Sequence, residues 1–149
     1  MRVVAQRVKS ASVKVNNNLI SSITNGLLLL VCVGKDDSSE DISYLVNKIA
    51  NCRIFNDAQD KMNLNVQQIN GEILSVSQFT LYADIKHGNR PSFNKYLADV
   101  NKAKNYWKDF NQQLSQLVTV KEGIFGADMK VELINDGPVT IIFDSKEFL

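Results

Sequence analysis

The stretch Ser12-Val13-Lys14-Val15-Asn16-Asn17-Asn18-Leu19-Ile20-Ser21-Ser22-Ile23-Thr24-Asn25-Gly26-Leu27-Leu28-Leu29-Leu30-Val31-Cys32-Val33 decides the fold class. Val13 and Val15 alternate with Ser12 and Lys14, the signature of a strand with one face buried. Three asparagines then supply a turn, and residues 19–23 return as a second strand, so the segment predicts a hairpin. Thr24-Asn25-Gly26 is a second turn. The unbroken apolar run that follows is strand length and suits a strand covered on both faces.

Outward from this core the pattern changes period. Gly34-Lys35-Asp36-Asp37 leaves the sheet, Ser38 or Ser39 offers a helix cap, and Ile42, Leu45, Val46 and Ile49 recur at helical spacing. Residues 53–55 and 64–66 read as short strands around a polar segment, and the Asn70-Gly71 turn leads into a strand over 72–79. A second amphipathic helix carries Val100, Ala103, Trp107, Phe110 and Leu114 on one stripe, which reads as core. Residues 118–120, 129–134 and 139–143 predict strands, the last two joined through residues 135–138. The sum is an α+β domain spanning 1–149, with a curved, mostly antiparallel sheet and about two packed helices. Periodicity does not decide whether the sheet closes into a barrel.

Composition excludes several function classes. The 149 residues hold one histidine, His87, and two distant cysteines, Cys32 and Cys52, too few for a side-chain triad, a zinc site or a disulfide framework. Both cysteines read as core residues, and no metal or cofactor is expected. No apolar run reaches the ~20 residues of a membrane helix, and the N-terminus lacks a signal-peptide apolar core, so a cytoplasmic location is expected. The net charge of +1 argues against broad coating of DNA. Charge is nonetheless uneven: residues 1–35 carry five Lys or Arg and no acid, and residues 36–60 carry six acids against two bases. Between Asp84 and Asp109, Lys86, Arg90, Lys95, Lys102, Lys104 and Lys108 outnumber the acids, so that stretch is either a solvated surface or an anion-binding face.

Two short segments stand where strand patterns meet turns: Ser77-Gln78-Phe79-Thr80-Leu81 and Asn135-Asp136-Gly137-Pro138-Val139-Thr140. Gly137 permits close approach of backbone to a ligand, and Pro138 raises the frequency of a cis peptide to roughly 5–6%. Thr80 offers a hydroxyl, but a threonine nucleophile needs a base to activate it, and His87 sits on a polar loop. Thr80 as a positioning group and Thr80 as a nucleophile both remain open at this point.

The same residues, with Gln6-Arg7-Val8, Ala11-Ser12-Val13, Lys35-Asp36-Asp37, Arg53-Ile54-Phe55, Lys61-Met62-Asn63-Leu64-Asn65-Val66, Arg90-Pro91-Ser92-Phe93 and Ala127-Asp128-Met129, run in one order nearly end to end. In that order the chain resembles the D-aminoacyl-tRNA deacylases, formerly called D-tyrosyl-tRNA deacylases. The resemblance implies a homodimer whose pocket lies at the subunit interface and holds the 3′-terminal adenosine of tRNA with its esterified amino acid. It implies that Gly137 and Pro138 form a cis dipeptide that rejects L-amino acids by projecting into the partner's pocket, with poor rejection of glycine. It assigns Ser77, Gln78, Phe79 and Thr80 to the reacting side of the pocket, Phe125 and Met129 to the adenosine, and Arg7 to bracing the dipeptide. Water activation falls to the substrate's own 2′-hydroxyl. Gly126 and Tyr82 depart from the usual pattern in positions that would reshape the nucleotide pocket.

Two other readings are carried alongside: an esterase that uses Thr80, and a non-enzymatic nucleic-acid-binding module built on residues 86–108 with Tyr106 and Trp107.

Overall fold

The computed structural model describes residues 1–148. Eight strands and three helices follow in the order β1 (Arg2–Val15), β2 (Asn18–Ile23), β3 (Gly26–Cys32), α1 (Ser39–Asn51), β4 (Phe55–Asn56), β5 (Met62–Leu64), β6 (Glu72–Ser77), α2 (Val100–Ser115), β7 (Thr119–Glu122), β8 (Lys130–Asp144) and α3 (Ser145–Phe148). A short 3-10 turn, Phe79–Tyr82, follows β6. The main sheet runs β2-β1-β3-β6-β7, with β8 on the other edge of β1. β1 pairs antiparallel with β2, β3 and β8, whereas β3–β6 and β6–β7 are parallel. The sheet is therefore mixed, with a parallel seam that the hairpin signals in the sequence do not announce.

The sheet curls until its ends nearly meet. Ser21 Oγ donates to the Glu122 carbonyl at 2.6 Å and Lys121 Nζ to the Ser22 carbonyl at 2.8 Å, which sets β2 beside β7. Inside the curl lie Val8, Ala11, Val13, Ile23, Leu28, Leu74 and Val76. Outside it, Val3, Ala5, Leu27, Leu29, Val31 and Ile73 pack under α1 and α2. The two sets explain the unbroken apolar run of β3: successive side chains point to opposite faces, and both faces are covered.

The long strand β1 changes phase along its length. Its odd-numbered Val3 and Ala5 face the helices, yet odd-numbered Ala11 and Val13 face the interior. A slip of one residue exchanges the faces of a strand, and the pairing with β8 shows where this happens. Between the pairs Val8↔Asn135 and Ser10↔Ile134, β1 advances two residues and β8 one. Between Gln6↔Thr140 and Val8↔Asn135, β1 again advances two while β8 advances five, so three extra residues of β8 are thrown out opposite Arg7. The expected pair of strands 129–134 and 139–143 is thus one strand carrying a bulge.

Helix boundaries follow their caps. Ser38 N donates to Asp41 Oδ2 at 2.7 Å at the head of α1, and Asp99 Oδ1 accepts from Asn101 N and Lys102 N at 3.0 Å at the head of α2. Trp107, Phe110 and Leu114 are buried as the stripe predicts, but Val100 is 73% exposed. It is the first residue of α2.

Asp41 also ties α1 to the C-terminal α3. Burial alone would raise its carboxyl; hydrogen bonds from Ser145, from Lys146 Nζ at 2.9 Å and from Ser38 outweigh that and hold it well below the usual carboxylate range. A depressed folded-state value adds stability that is complete above the unfolded value near ~3.9 and is lost as pH falls through the folded one. The urea midpoint of the parent chain should therefore fall steeply below about pH 4. That of Asp41→Asn should start lower at pH 7 and fall less; parallel profiles would contradict this role.

Candidate active site

The carboxyl ends of the parallel strands β3 and β6 open into a cavity of about 520 Å³, within the range of small-ligand sites. Val31, Cys32 and Val33 form one wall, and Val76, Ser77, Gln78 and Phe79 the next. Residues 125–129 close the far side, and α2 covers it with Val100, Ala103 and Trp107. Trp107 is fixed by its indole N–H, which donates to the buried Ser75 Oγ at 3.0 Å, and its ring lies 5.8 Å from Phe125.

The strand expected over 72–79 ends at Ser77. Gln78 N makes a last bond to the Val31 carbonyl at 2.7 Å, and the chain then tightens into the 3-10 turn, with Leu81 N on the Gln78 carbonyl at 3.3 Å. The amides of Phe79 and Thr80, first in that turn, take no partner among the described residues. Helical turns leave such leading N–H groups free, and free amides at a cavity rim can receive an oxyanion. Phe79 is 57% exposed, with its ring edge-on to Phe93 at 5.0 Å. Cys32 Sγ donates to the Phe79 carbonyl at 3.4 Å; burial pushes that thiol up to about 12, so it stays a neutral donor.

Thr80 is exposed beside the cavity rather than in its lining, and its hydroxyl accepts from Gln78 Nε2. Among the described residues no side-chain base accepts the proton of that hydroxyl, as an activated nucleophile requires. His87 is exposed on the loop beyond.

Ser77, Gln78, Phe79, Phe125 and Met129 are thus brought together in one cavity, while Arg7, Gly137 and Pro138 form a second group outside that lining. Gly137 and Pro138 occupy the bulge of β8, and Arg7 faces it from β1. The Gly137–Pro138 peptide is cis, and both residues are exposed. The bulge is braced from behind: Arg7, only 7% exposed, donates through Nε to the Asp136 carbonyl at 2.9 Å and through Nη1 to the Ile54 carbonyl at 2.7 Å and Asn56 Oδ1 at 3.0 Å. Asn135 Oδ1 accepts from Val139 N at 2.9 Å across its base. Gly137 has φ +136°, and a Cβ there would lie 2.7 Å from Val139 Cγ2 and 3.1 Å from Arg7 Nη2.

Of the two departures from the usual pattern, Gly126 lines the cavity, but Tyr82 does not. Tyr82 faces a separate hollow, under the Arg2 guanidinium at 4.9 Å. Sequence reasoning missed Cys32 and the wall formed by Leu97, Ala98, Val100 and Ala103. Nothing in their residue types distinguishes a cavity wall from core.

Residues 4–144 match a family profile described as "D-Tyr-tRNA(Tyr) deacylase". Among solved structures, one described as "c-Myc DNA Unwinding Element Binding Protein" is 37% identical, with a TM-score of 0.91 over 97% of this chain and 98% of that one. A second, described as "Structural Analysis of a probable eukaryotic D-amino acid tRNA deacylase", has a TM-score of 0.80 at 18% identity over 95% of this chain and 97% of that one. The second shares the curled sheet and its helices. By the profile that spans it nearly end to end, this chain belongs to the D-Tyr-tRNA(Tyr) deacylase family, hydrolases that cleave the ester bond of aminoacyl-tRNA.

Proposed function

We propose that the chain removes D-amino acids from tRNA by a backbone site completed between two copies. The observation that carries this reading is a division of labour: one cavity gathers Ser77, Gln78, Phe79, Phe125 and Met129, while Gly137 and Pro138 stand outside it on a braced, exposed bulge. In a homodimer, the bulge of one copy reaches the cavity of the other. Exposed apolar side chains support such an association: Ile134 is 60% and Ile142 62% exposed on β8, whose outer edge has no partner among the described residues.

The aminoacylated 3′ end of tRNA sits in the cavity, with the adenosine against Phe125 and Met129 and the ester near Ser77, Gln78, Phe79 and Thr80. D and L esters differ only in where hydrogen and side chain sit. A rigid backbone obstacle rejects the L side chain where an apolar pocket would accept both hands. Glycine has no side chain to reject, so Gly-tRNA mischarged on tRNA-Ala is a further substrate. The ester is already activated; free main-chain amides stabilise the developing oxyanion, and the substrate's 2′-hydroxyl orients the attacking water. No metal or cofactor enters this scheme, and residues 1–149 act as one domain in the cytoplasm.

In this scheme Thr80 positions substrate. Thr80→Ala should lower kcat/KM for D-Tyr-tRNA by about tenfold, the lower range of a lost positioning contact. Complete loss, with an acyl-threonine trapped in the parent enzyme, would instead establish the Thr80 esterase. A second reading, DNA binding without turnover, is motivated by the description of the 37% identical neighbour; tight binding of duplex DNA at moderate salt would favour it.

A further inference from the structure

The cations of residues 86–108 are not spent on ion pairs within the fold. No ion pair among the described residues involves Lys86, Arg90, Lys95, Lys102, Lys104 or Lys108. The three acids of the same stretch are committed elsewhere. Asp84 Oδ1 accepts from Lys86 N at 3.0 Å, Asp99 caps α2, and Asp109 Oδ1 accepts from Gln113 Nε2 at 3.2 Å. Asp84 and Asp99 hold backbone and Asp109 a glutamine side chain, and among the described residues none of the three forms an ion pair with these cations.

These cations lie on two elements that border the cavity. Along α2, Val100 lines the cavity, and Lys104 and Lys108 follow it at four-residue spacing on the same flank, both exposed. Next to the cavity's Phe79, Asp84 and Ser92 exchange backbone hydrogen bonds at 2.8 and 3.0 Å, closing a loop whose exposed tip carries Lys86 and Arg90. Phe93 anchors the base of that loop on Phe79, a cavity residue. The one acid in the cavity lining, Asp128, is paired with Lys130 at 2.9 Å. An anionic polymer that reaches the cavity thus meets cations free of ion pairs on α2 and on the neighbouring loop, and no unpaired acid in the cavity wall.

Two cations are already engaged: Lys102 Nζ donates to the Lys35 carbonyl at 2.6 Å, and Lys95 Nζ lies over the Tyr96 ring at 4.9 Å. Lys86, Arg90, Lys104 and Lys108 remain. We infer that these four form the surface that holds the phosphates of the RNA strand leading to the esterified 3′ end. This rests on the deacylase reading, and it makes the surface rather than the cavity the source of preference for tRNA over a small ester.

The test compares D-Tyr-tRNA with 3′-(D-tyrosyl)-adenosine, which fills the cavity but lacks the strand. For the parent enzyme, log kcat/KM on tRNA should fall with log salt at a slope of about −1.4 to −2.8, two to four phosphates at ~0.7 each, with no such slope for the adenosine ester. The double variant Lys104→Glu/Lys108→Glu should reduce the tRNA-to-adenosine ratio of kcat/KM at least tenfold and flatten the slope by about one or more. Lys48→Glu/Lys61→Glu, on other elements, is the control. An unchanged ratio and slope would overturn the inference. Binding of uncharged tRNA is measured in parallel: if neither ester is cleaved but the Lys104/Lys108 variant loses salt-sensitive binding, the surface stands and the deacylase reading falls. Equal binding by parent and variant would overturn the surface.

Discussion

Gly137→Ala is expected to reduce D-Tyr-tRNA deacylation by about two orders of magnitude while leaving the chain folded at 25 °C. Gly137 holds φ +136°, a conformation that L side chains rarely adopt, and its added Cβ would press on Val139 and on Arg7 Nη2. The clash has two outlets. The bulge shifts, which moves the projecting backbone by something approaching an ångström, or Arg7 withdraws and the brace is lost. Displacement on that scale costs a positioned site ~10²-fold. The residue itself is exposed, so the expected stability loss is the ~1–3 kcal/mol of a strained backbone position, with the buried Val139 and Arg7 taking up the contact. The measurement is kcat/KM on the D and L esters with a melting curve beside it. Activity near that of the parent would remove the bulge from the site.

Arg7→Met is expected to weaken both the fold and the site. The guanidinium is buried beneath the bulge and serves three acceptors, the carbonyls of Asp136 and Ile54 and the side chain of Asn56. Methionine fills much of the volume but donates nothing, leaving those three acceptors without their donor, while the Asp136 carboxylate, 3.5 Å from Arg7 Nε, keeps only Lys9 Nζ at 3.2 Å. Leaving buried acceptors unsatisfied costs about 1–3 kcal/mol, which in a domain of this size lowers Tm by about 2–12 °C. Arg7→Lys separates charge from geometry. Lysine keeps a cation near Asp136 but lacks the planar fork that spans Ile54 and Asp136 together, so it should recover stability more fully than activity. Full recovery of both by lysine would show that only charge matters there.

How far the sequence was legible depends on what each residue's period reports. The hairpin of β1 and β2, the doubly buried β3 and the apolar faces of α1 and α2 all follow from local spacing, and the structure places them accordingly. The parallel pairing of β3 with β6 does not, because an apolar run reads alike in either direction and strand partners are set by tertiary packing. Residues 135–138 read as a loop between two strands for a related reason. Asn, Asp, Gly and Pro signal a turn, but only pairing with β1 shows that the strand resumes in line beyond it. Val100 misled the stripe because a cavity mouth and a core select the same apolar residue types.

The site was legible where backbone chemistry leaves a mark in sequence. Gly137, at positive φ, and the segment leaving β6 both stood out as strand-to-turn junctions. Arg7 gave no such mark: an arginine in an alternating strand looks like a surface residue, and its burial follows from the bulge that it faces. Resemblance supplied it where periodicity could not.

The most direct test is paired deacylation of D-Tyr-tRNA, L-Tyr-tRNA and Gly-tRNA by the purified protein under one set of conditions. Rapid cleavage of the D and glycyl esters with the L ester spared is the predicted result. Equal cleavage of D and L esters, or cleavage of neither, would contradict the account.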